Sequence, residues 1–332
     1  QKFFNEQNTN RFSQMNKFFS YDINELKLDE LFIEYLEAFS NISNKLNYFR
    51  LNDEYKNIIS PFNKQTIDKK NIISFYDEPL KIYSSNNIDF NDYSKFYYFF
   101  TKFKQKIKFQ FHINNSLFIK NSDKIRLLPL NQIFETQKIN LSLSLNEIFY
   151  SFKKDLKERI KQAEKNINIK IETFDHKNYK NGMIKDMQLL HEVVSGKKTR
   201  SDMTWEINEK MIKSKKGFLM KLSIDNKVIS YSLFFHNKIY GITFSSCTLR
   251  EYFKIAGINH LIKWTGISFL KKQGVRYYDL GITNYLDLNN RLKITEKEKK
   301  IAYFKSRFNG IRTYHLQFND LLSLDNFKNL SE

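Results

Sequence analysis

Cysteine, glycine and proline are scarce in this sequence, and long apolar runs are missing. The one cysteine in 332 residues, Cys247, cannot form an internal disulfide, which fits a reducing compartment. Cys247 lies in a strand pattern, where a small buried side chain is its expected role rather than that of a nucleophile. Because no stretch of about 18 apolar residues occurs, we expect no transmembrane helix. No signal-peptide pattern opens the chain, so we expect a cytoplasmic protein.

Positive charge exceeds negative charge by a wide margin. The chain has 55 lysines and arginines against 36 aspartates and glutamates, a net charge of +19. Such an excess favours anionic partners such as tRNA, nucleotide pyrophosphates or an acidic membrane face, including peripheral contact with the inner membrane. Lysine is abundant together with asparagine, isoleucine, phenylalanine and tyrosine, a bias typical of AT-rich genomes, so part of the excess needs no partner.

The most regular pattern covers residues 217–318. It begins with three β-rich runs joined by Asp225-Asn226 and His236-Asn237, dipeptides suited to tight turns, which predicts an antiparallel meander. A helix over 259–272 follows, then the strand VRYYDLG, a helix that ends at FKSRFNG, and the strand IRTYHLQF. Because a helix separates the meander from VRYYDLG, that strand can return parallel to the strand before it.

The first half contains the same ingredients in a less regular order. The runs KIKFQFHI and SLFIK, separated by two asparagines, predict a hairpin, and IRLLPL predicts another strand. Between the halves, Ser144 and Glu147 form a capping-box pattern, which predicts one helix that continues to about Asn166. Farther on, Thr204 is expected near the start of a helix. The chain is therefore expected to be α/β, with α+β mixed sheets.

Motifs for metal and nucleotide binding are missing. His191 and Glu192 look like the start of a zinc-protease motif, but Ser195 stands where the second histidine would be. There is no Walker loop, no Rossmann fingerprint and no recognisable nucleophile arrangement. We therefore expect neither a metal ion nor a tightly bound cofactor.

Three segments together resemble the Fem family of non-ribosomal peptidyl (aminoacyl) transferases, which are built from GNAT-type acyltransferase folds. They are the basic helix FKKDLKERIKQAEKNINI, the strand KKQGVRYYDLG and the ending IAYFKSRFNG. The resemblance covers 139–318 and implies two GNAT-like units: a degenerate one over 1–138 and a catalytic one over 139–318. A tail, 319–332, is expected to pack back on the first unit.

The resemblance implies an N-acyltransferase that transfers an aminoacyl or acyl group to an amine on a cell-envelope precursor. The acceptor would be a peptidoglycan precursor or a nucleotide- or lipid-linked amino sugar of a surface polysaccharide. The donor would be an aminoacyl-tRNA or an acyl-CoA. Acyl transfer to an amine needs a positioned amine and a stabilised oxyanion, but no covalent enzyme intermediate.

The GNAT fold implies that KIYGITFSS and VRYYDLG separate to admit the acyl donor, with a helix N-terminus beside them for a pyrophosphate. The acyl-CoA loop of that fold reads Gln/Arg-x-x-Gly-x-Gly/Ala, whereas this chain has Lys254, Gly257 and Asn259 at the matching positions. This degenerate loop argues against routine acetyl-CoA use. The alternative interpretation of the segment with Gly257 is an ordinary loop before a core helix. Arg307 is a fourth candidate for donor binding.

Lys305 is the first candidate for a catalytic residue. Thr295 and Glu298 can cap its helix, and Lys305 lies beside the apolar stripe of that helix, where a cation meets the protein interior. In the resemblance, the lysine of this ending lies near the phosphate and acyl-transfer centre, so Lys305 would stabilise developing negative charge. The alternative is a lysine with a buried stem and a solvated amine.

Two further residues are catalytic candidates. Tyr303 resembles the GNAT tyrosine that protonates the departing CoA thiolate, although among 19 tyrosines a core or surface role is the simpler interpretation. Asp279 ends the parallel strand, where open α/β sheets expose site residues, and could receive a proton from the amine. Asp279 could equally close a turn through Gly281.

Substrate-binding candidates are polar or aromatic residues on three elements. They are Thr283 and Tyr285 after the parallel strand, Arg200, Ser201 and Trp205 in a polar stretch, and Lys157 and Arg159 on the basic helix. The first group could line the acceptor pocket, and the second is suited to phosphate binding and sugar stacking. The alternatives are a core position for Trp205 and a solvated basic face for the helix.

Two other functions stay open. One is an acyl-CoA-dependent GNAT N-acetyltransferase that acts on an amino sugar. The other is a GNAT-like module that has lost catalysis and binds polyanions through its basic surface. The sequence leaves the acceptor, the donor and the oligomeric state undetermined.

Overall fold

The computed structural model describes residues 20–22, 28–40, 46–52, 57–67, 70–76, 79–84, 90–103, 105–166, 168–286 and 294–331. Within these residues the chain forms 11 α-helices and 14 strands, arranged in two mixed sheets. The predicted α/β class with mixed sheets is confirmed. No α-helix in the described part of the chain combines the length and apolarity needed to cross a bilayer.

The smaller sheet is built from the first part of the chain. Its six strands are β1 (Ser20–Asp22), β2 (Asn47–Asn52), β3 (Asn57–Ile67), β4 (Lys70–Ser74), β5 (Ile82–Ser84) and β6 (Lys106–Ile107). The order is β1-β5-β3-β4-β6, and β2 also pairs with β3. The long strand β3 pairs with β2 and β5 through its first half and with β4 through its second half.

The larger sheet has eight strands. They are β7 (Phe109–Asn114), β8 (Leu130–Asn140), β9 (Ile169–Phe174), β10 (Gly217–Ile224), β11 (Lys227–His236), β12 (Tyr240–Thr248), β13 (Tyr277–Leu286) and β14 (Ile311–Phe318). Their order is β7-β14-β8-β13-β12-β11-β10-β9. The strands β10 to β12 form the predicted antiparallel meander, and β13 returns parallel to β12 as predicted.

The helices cover both faces of the larger sheet. They are α1 (Glu30–Ser40), α2 (Phe90–Thr101), α3 (Asn115–Lys120), α4 (Ser122–Arg126), α5 (Leu145–Ser151), α6 (Lys154–Glu164), α7 (Met183–Ser195), α8 (Asp202–Lys213), α9 (Ile258–Lys272), α10 (Glu296–Ser306) and α11 (Leu324–Ser331). The apolar sides of α5, α6, α9 and α10 share one core cluster on one face of the sheet. On the other face, α7 and α8 pack against β10 and β11.

Local sequence signals account for several element boundaries. Asp225 and Asn226 join β10 to β11 with φ angles of 50° and 64°, the left-handed pair that a type I′ hairpin turn requires. The capping box at Ser144 is present at the start of α5, and a second one at Thr295 starts α10. Both predicted capping boxes are confirmed.

The single helix predicted to follow the first capping box is wrong. The helices α5 and α6 are separate because Phe152 and Lys153 have extended backbones, with ψ angles of 153° and 147°. Phe152 is buried against Trp264 and Phe308. The Lys153 amide donates to the Arg307 carbonyl at 3.0 Å. These tertiary contacts stabilise the break.

Two other local predictions are wrong, and a third is confirmed. SLFIK is helix α3 rather than a hairpin strand, because Phe118 stacks on Tyr314 of β14 at a ring distance of 4.0 Å. The partner of β7 is β14, which is distant in sequence. IRLLPL is divided between the end of α4 and the start of β8. Thr204 lies in the first turn of α8, near the start of a helix as predicted, and the N-cap is Ser201, which accepts the Thr204 amide.

The two ends of the chain meet in a shared core. Residue 138, where the sequence suggests that the first unit ends, lies inside β8, and β14 inserts between β7 and β8. In the tail, Phe327 of α11 stacks on Tyr93 of α2 at 4.0 Å, and the Tyr93 hydroxyl donates to the Leu322 carbonyl. The largest core cluster therefore joins α1 and α2 to α11 and to the larger sheet.

Candidate active site

A notch opens in the larger sheet between β12 and β13. These strands pair at three positions only, Tyr240 to Ile242 with Tyr277 to Asp279. Beyond that point β12 continues to Thr248 and β13 to Leu286, and the two described segments do not pair with each other. The strands therefore diverge, as the resemblance implies for the site of an acyl donor.

The notch opens into a cleft of about 1680 Å³ that runs along the larger sheet to residues of α1 and β5. Among the described residues, nine lysines and arginines line the cleft, with two carboxylates. The cations are Lys81, Lys138, Lys197, Arg200, Arg250, Lys263, Lys297, Lys300 and Lys305, and the carboxylates are Asp279 and Glu298. A cleft with this excess of positive charge favours anionic substrates.

Lys305, on the last turn of α10, places its ammonium beside Gly281. A Cβ atom at Gly281 would lie 3.1 Å from the Nζ atom of Lys305. Burial lowers the pKa of Lys305 to about 8, the charge of Lys263 also lowers it, and the charge of Asp279 partly opposes both. Lys305 therefore lines the notch with an amine that loses its proton more readily than an ordinary lysine.

Asp279 lines the cleft where β12 and β13 separate. Its Oδ1 atom accepts the Gly281 amide at 2.7 Å, so the side chain also closes the turn through Gly281. On the neighbouring strand β8, Lys138 lies directly opposite Asp279. Both interpretations of Asp279 from the sequence are thus compatible with its position.

Tyr303 and Arg307 lie on the side of α10 that does not line the cleft. The side chain of Tyr303 is 63% exposed, and Arg307 packs over its ring. Arg307 forms an ion pair with Asp155 near the start of α6, and the hydrogen bond lowers the pKa of that carboxyl. Arg307 therefore ties α10 to α6 rather than facing the notch.

The predicted donor loop lies against α6. Gly257 precedes α9 with a φ of 80°, and a Cβ atom there would overlap the carbonyl oxygen of Arg159. Asn259 lines the cleft, and its Oδ1 atom accepts the Thr248 hydroxyl at 2.9 Å. Lys254 ends the 3-10 turn before this loop and is not among the residues described as lining the cleft.

Arg200 lines the cleft, whereas its two predicted partners do not. It donates to the Ser245 hydroxyl at 2.9 Å, and its guanidinium lies 5.2 Å from the centre of the Trp205 ring. Trp205 is 3% exposed and belongs to the core beneath α7 and α8. Ser201 is occupied as the N-cap of α8.

The remaining substrate-binding candidates divide in the same way. Tyr285 lines the cleft, whereas Thr283 is buried and donates to a Glu135 carboxylate oxygen at 2.9 Å. Lys157 donates to the Tyr150 carbonyl at 3.1 Å. Neither Lys157 nor Arg159 is among the described residues that line the cleft. The basic side of α6 therefore faces away from the notch.

By fold, the chain is similar to several solved structures. FemX matches over 98% of this chain and 98% of its own chain, with a TM-score of 0.59 and 11% identity. This is the fold of FemX. The C-terminal domain of a proposed lysylphosphatidylglycerol synthetase from Agrobacterium fabrum matches 98% of this chain over 95% of its own, with a TM-score of 0.52 and 10% identity.

A conserved protein of unknown function from Bacteroides thetaiotaomicron shares the fold, with a TM-score of 0.52 and 9% identity over 93% of this chain and 97% of its own. No protein-family model and no curated protein matches the sequence. The resemblance to the Fem-like GNAT proteins is therefore confirmed as a similarity of fold.

Within this FemX-like fold, sequence reasoning missed Lys263. This lysine of α9 lines the cleft and donates to the hydroxyls of Thr243 and Tyr278. Helical spacing could have found it, because Lys263 follows Asn259 by four residues and the two therefore share a face of α9.

If the Lys305 ammonium is catalytic, as the resemblance implies, substituting Gly281→Ala is expected to displace it and to lower turnover about 10-fold, because small misplacements of catalytic groups are costly. The matched control is Gly274→Ala. Gly274 has a φ of 78° against 70° for Gly281, but a Cβ atom there meets nothing within 4 Å. Both variants carry the same backbone strain. Melting curves measure the effect of that strain on stability, and steady-state rates measure the effect of displacing Lys305 on turnover. Equal turnover in the two variants would contradict the assignment.

Proposed function

We propose that the protein is an N-acyltransferase that transfers an aminoacyl group to an amine on an anionic cell-envelope precursor. The observation that carries this proposal is the ammonium of Lys305 beside Gly281 in the notch between the diverging strands. A buried cation at that place can stabilise the oxyanion that forms when an amine attacks an ester or thioester carbonyl.

The reaction in this proposal is a direct displacement. The acceptor nitrogen attacks the carbonyl carbon of the donor, and Lys305 donates a hydrogen bond to the carbonyl oxygen as negative charge develops there. The bond to the leaving oxygen breaks, and that oxygen takes the proton that the attacking nitrogen releases. Protonated Lys305 stabilises the oxyanion more strongly than the neutral amine would, because charge-assisted hydrogen bonds are stronger. Asp279 holds the Gly281 turn against which the Lys305 ammonium lies.

Aminoacyl-tRNA is the preferred donor in this proposal. In the GNAT resemblance, the loop before α9 would approach the pyrophosphate of an acyl-CoA. Here the backbone of that loop packs directly against α6, since a Cβ atom at Gly257 would overlap the Arg159 carbonyl oxygen. An acyl-CoA-dependent N-acetyltransferase acting on an amino sugar is therefore the second choice, and a non-catalytic polyanion-binding module is the third.

A nucleotide- or lipid-linked acceptor agrees with the charge of the cleft and with Arg200. Ser245 takes one of the five N–H donors that a guanidinium carries. In the proposal, Arg200 binds a phosphate of the acceptor while its ring contact with Trp205 holds the side chain in place. The protein would act in the cytoplasm and reach a lipid-linked acceptor at the inner face of the membrane. Residues 139–318 would be the catalytic GNAT-like unit, and 1–138 the second unit.

Replacing Arg200→Met is expected to raise the KM for an anionic acceptor by about 10- to 100-fold and to change kcat little, because hydrogen bonds to charged groups contribute to binding. The control is Lys198→Met. Lys198 is two residues away, is exposed and pairs with Asp202. Steady-state kinetics with varied acceptor gives both constants. An unchanged KM in the Arg200 variant would exclude this phosphate contact.

The donor class can be tested by incubating the purified protein with charged tRNAs in one reaction and acyl-CoAs in another. Each reaction contains nucleotide-linked envelope precursors that carry a free amine, and products are identified by mass. We expect an acceptor heavier by one amino-acid residue in the tRNA reaction. Acyl products from CoA alone would favour the second choice. Steep salt-dependent binding of polyanions without acyl transfer would favour the third.

A further inference from the structure

Lys263 occupies the point at which the two strands separate. Its Nζ atom donates to the Thr243 hydroxyl of β12 at 3.1 Å and to the Tyr278 hydroxyl of β13 at 2.9 Å. The last paired position of the two strands is Ile242 with Asp279, so the amine bridges the strands at the vertex of the notch. The same three side chains line the cleft.

In the described part of the chain Lys263 forms no ion pair with a carboxylate, and its Nζ atom lies 5.6 and 6.0 Å from the centres of the Tyr278 and Phe304 rings. Its two hydrogen-bond partners are neutral hydroxyls, and burial alone lowers its pKa to about 8. Burial also raises the pKa of Tyr278, which therefore stays neutral. Two titratable groups of the described residues interact with it: His260 on the same helix, whose pKa is lowered to about 4 chiefly by burial, and Lys305 on α10.

Two ammonium groups near one another repel, so each disfavours the charged form of the other. The charge of Lys263 contributes to the lowered pKa of Lys305, and such coupling acts in both directions. One of the two amines is therefore the first to lose its proton as the pH rises. In the proposed function Lys305 carries the positive charge at the oxyanion, so the amine available to take up a proton is Lys263, which two hydroxyls hold at the vertex of the notch.

We infer that Lys263 is the general base that deprotonates the acceptor ammonium. This inference rests on the proposed function and names a further catalytic residue for it. The lone pair of neutral Lys263 takes one proton from the acceptor ammonium, so one N–H bond breaks and one forms. The freed acceptor lone pair then forms the C–N bond, and the proton that the attacking nitrogen loses goes to the leaving oxygen. Lys263 returns its proton to water.

Asp279 is less suited to this step. Its Oδ1 atom is engaged by the Gly281 amide at 2.7 Å, and carboxylates are much weaker bases than amines. A buried amine is closer in basicity to the amine that it must deprotonate, which favours proton transfer. The hydroxyls of Thr243 and Tyr278 hold the Lys263 amine at the notch in either protonation state.

The test combines a titration with a rate profile, both on the full chain. Protein labelled with carbon-13 at lysine Cε is titrated by NMR, and the resonance that Lys263→Met lacks identifies Lys263. Rates are then measured against pH for wild type, Lys263→Met, Lys263→Arg and the control Lys272→Met, using the charged tRNA and amine acceptor that wild type uses. Lys272 is an exposed lysine at the end of the same helix.

The expected result is a Lys263 midpoint near pH 8 and a loss of about 100-fold or more in kcat/KM for both Lys263 variants, with the control unchanged. Loss in Lys263→Arg is the decisive outcome, because arginine keeps the charge but cannot act as a base. Wild-type turnover in Lys263→Arg, or an ordinary lysine midpoint for Lys263, would overturn the inference while the proposed function stands. An inactive wild-type protein would overturn the proposed function and the base together.

Discussion

Replacing Lys305→Met is expected to lower turnover by about 100- to 1,000-fold, the usual effect of removing one donor to an oxyanion. Methionine keeps an unbranched apolar side chain against Gly281 but cannot donate a hydrogen bond. The loss should appear in kcat rather than in KM, because the oxyanion exists only in the transition state. Single-turnover kinetics with a charged tRNA and an amine acceptor measures it.

This variant should not be less stable than wild type at pH 7. Burial lowers the pKa of Lys305 in the folded chain to about 8, below the ordinary lysine value. Between that pH and about 10.5 the unfolded chain binds more protons, so the contribution of Lys305 to stability rises with pH. At pH 7 the buried charge is a cost, and methionine removes it. Melting curves at pH 7 and pH 10 should show a smaller advantage for the variant at the higher pH.

The control for Lys305 is Lys299→Met on the same helix. Lys299 is exposed and pairs with Glu296 outside the cleft. It shares the length and charge of Lys305 but has no contact with Gly281. If Lys305→Met and the control both kept wild-type turnover, Lys305 would have no role in the reaction.

Substituting Gly257→Ala is expected to destabilise the protein by about 3 kcal/mol or more, because it combines a left-handed backbone with an overlap in a packed region. The new Cβ atom would overlap the Arg159 carbonyl oxygen and approach Ala163, both on α6. Relief requires α6 or the start of α9 to move. Trp264 of α9, which packs on Phe149, reports this movement by fluorescence during denaturant unfolding.

Gly274→Ala provides the comparison for Gly257→Ala. The φ angles are similar, 78° at Gly274 and 80° at Gly257, but Gly274 has open space where the Cβ atom would lie. Gly274→Ala should therefore lose only the stability that a left-handed backbone costs an alanine, about 1 kcal/mol. Equal destabilisation of the two variants would mean that the loop does not pack closely against α6. The structural argument against an acyl-CoA donor would then fail.

The fold of the second half could be predicted because its signals are local. Asp225-Asn226 and the two capping boxes fix boundaries within a few residues, and the helix between β12 and β13 decides the parallel return. Distant contacts decided the places where prediction was wrong. Phe118 packs on Tyr314, almost 200 positions away in the chain, and so SLFIK is helical. Phe152 turns out of its helix to pack against Phe308.

The site was harder to predict than the fold, because spacing does not reveal which side of an element meets a cavity. The structure brings together at the cleft Lys305, Asp279, Tyr285, Asn259 and Arg200. The other candidates do not line it: Ser201 caps α8, Trp205 and Thr283 are buried, Arg307 joins α10 to α6, and Tyr303 is exposed. Lys263 was missed because its role depends on two strands that diverge around it. The catalytic role of all these residues stays a prediction.

The measurement that tests the central claim most directly is the mass of an amine-bearing, nucleotide-linked envelope precursor after incubation with the protein and a pool of charged tRNAs. We predict that wild-type protein adds the mass of one amino-acid residue through an amide bond, and that Lys305→Met adds almost none in the same time. If the mass of the acceptor stayed unchanged with wild-type protein, whether the donors were charged tRNAs or acyl-CoAs, acyl transfer at this notch would be contradicted.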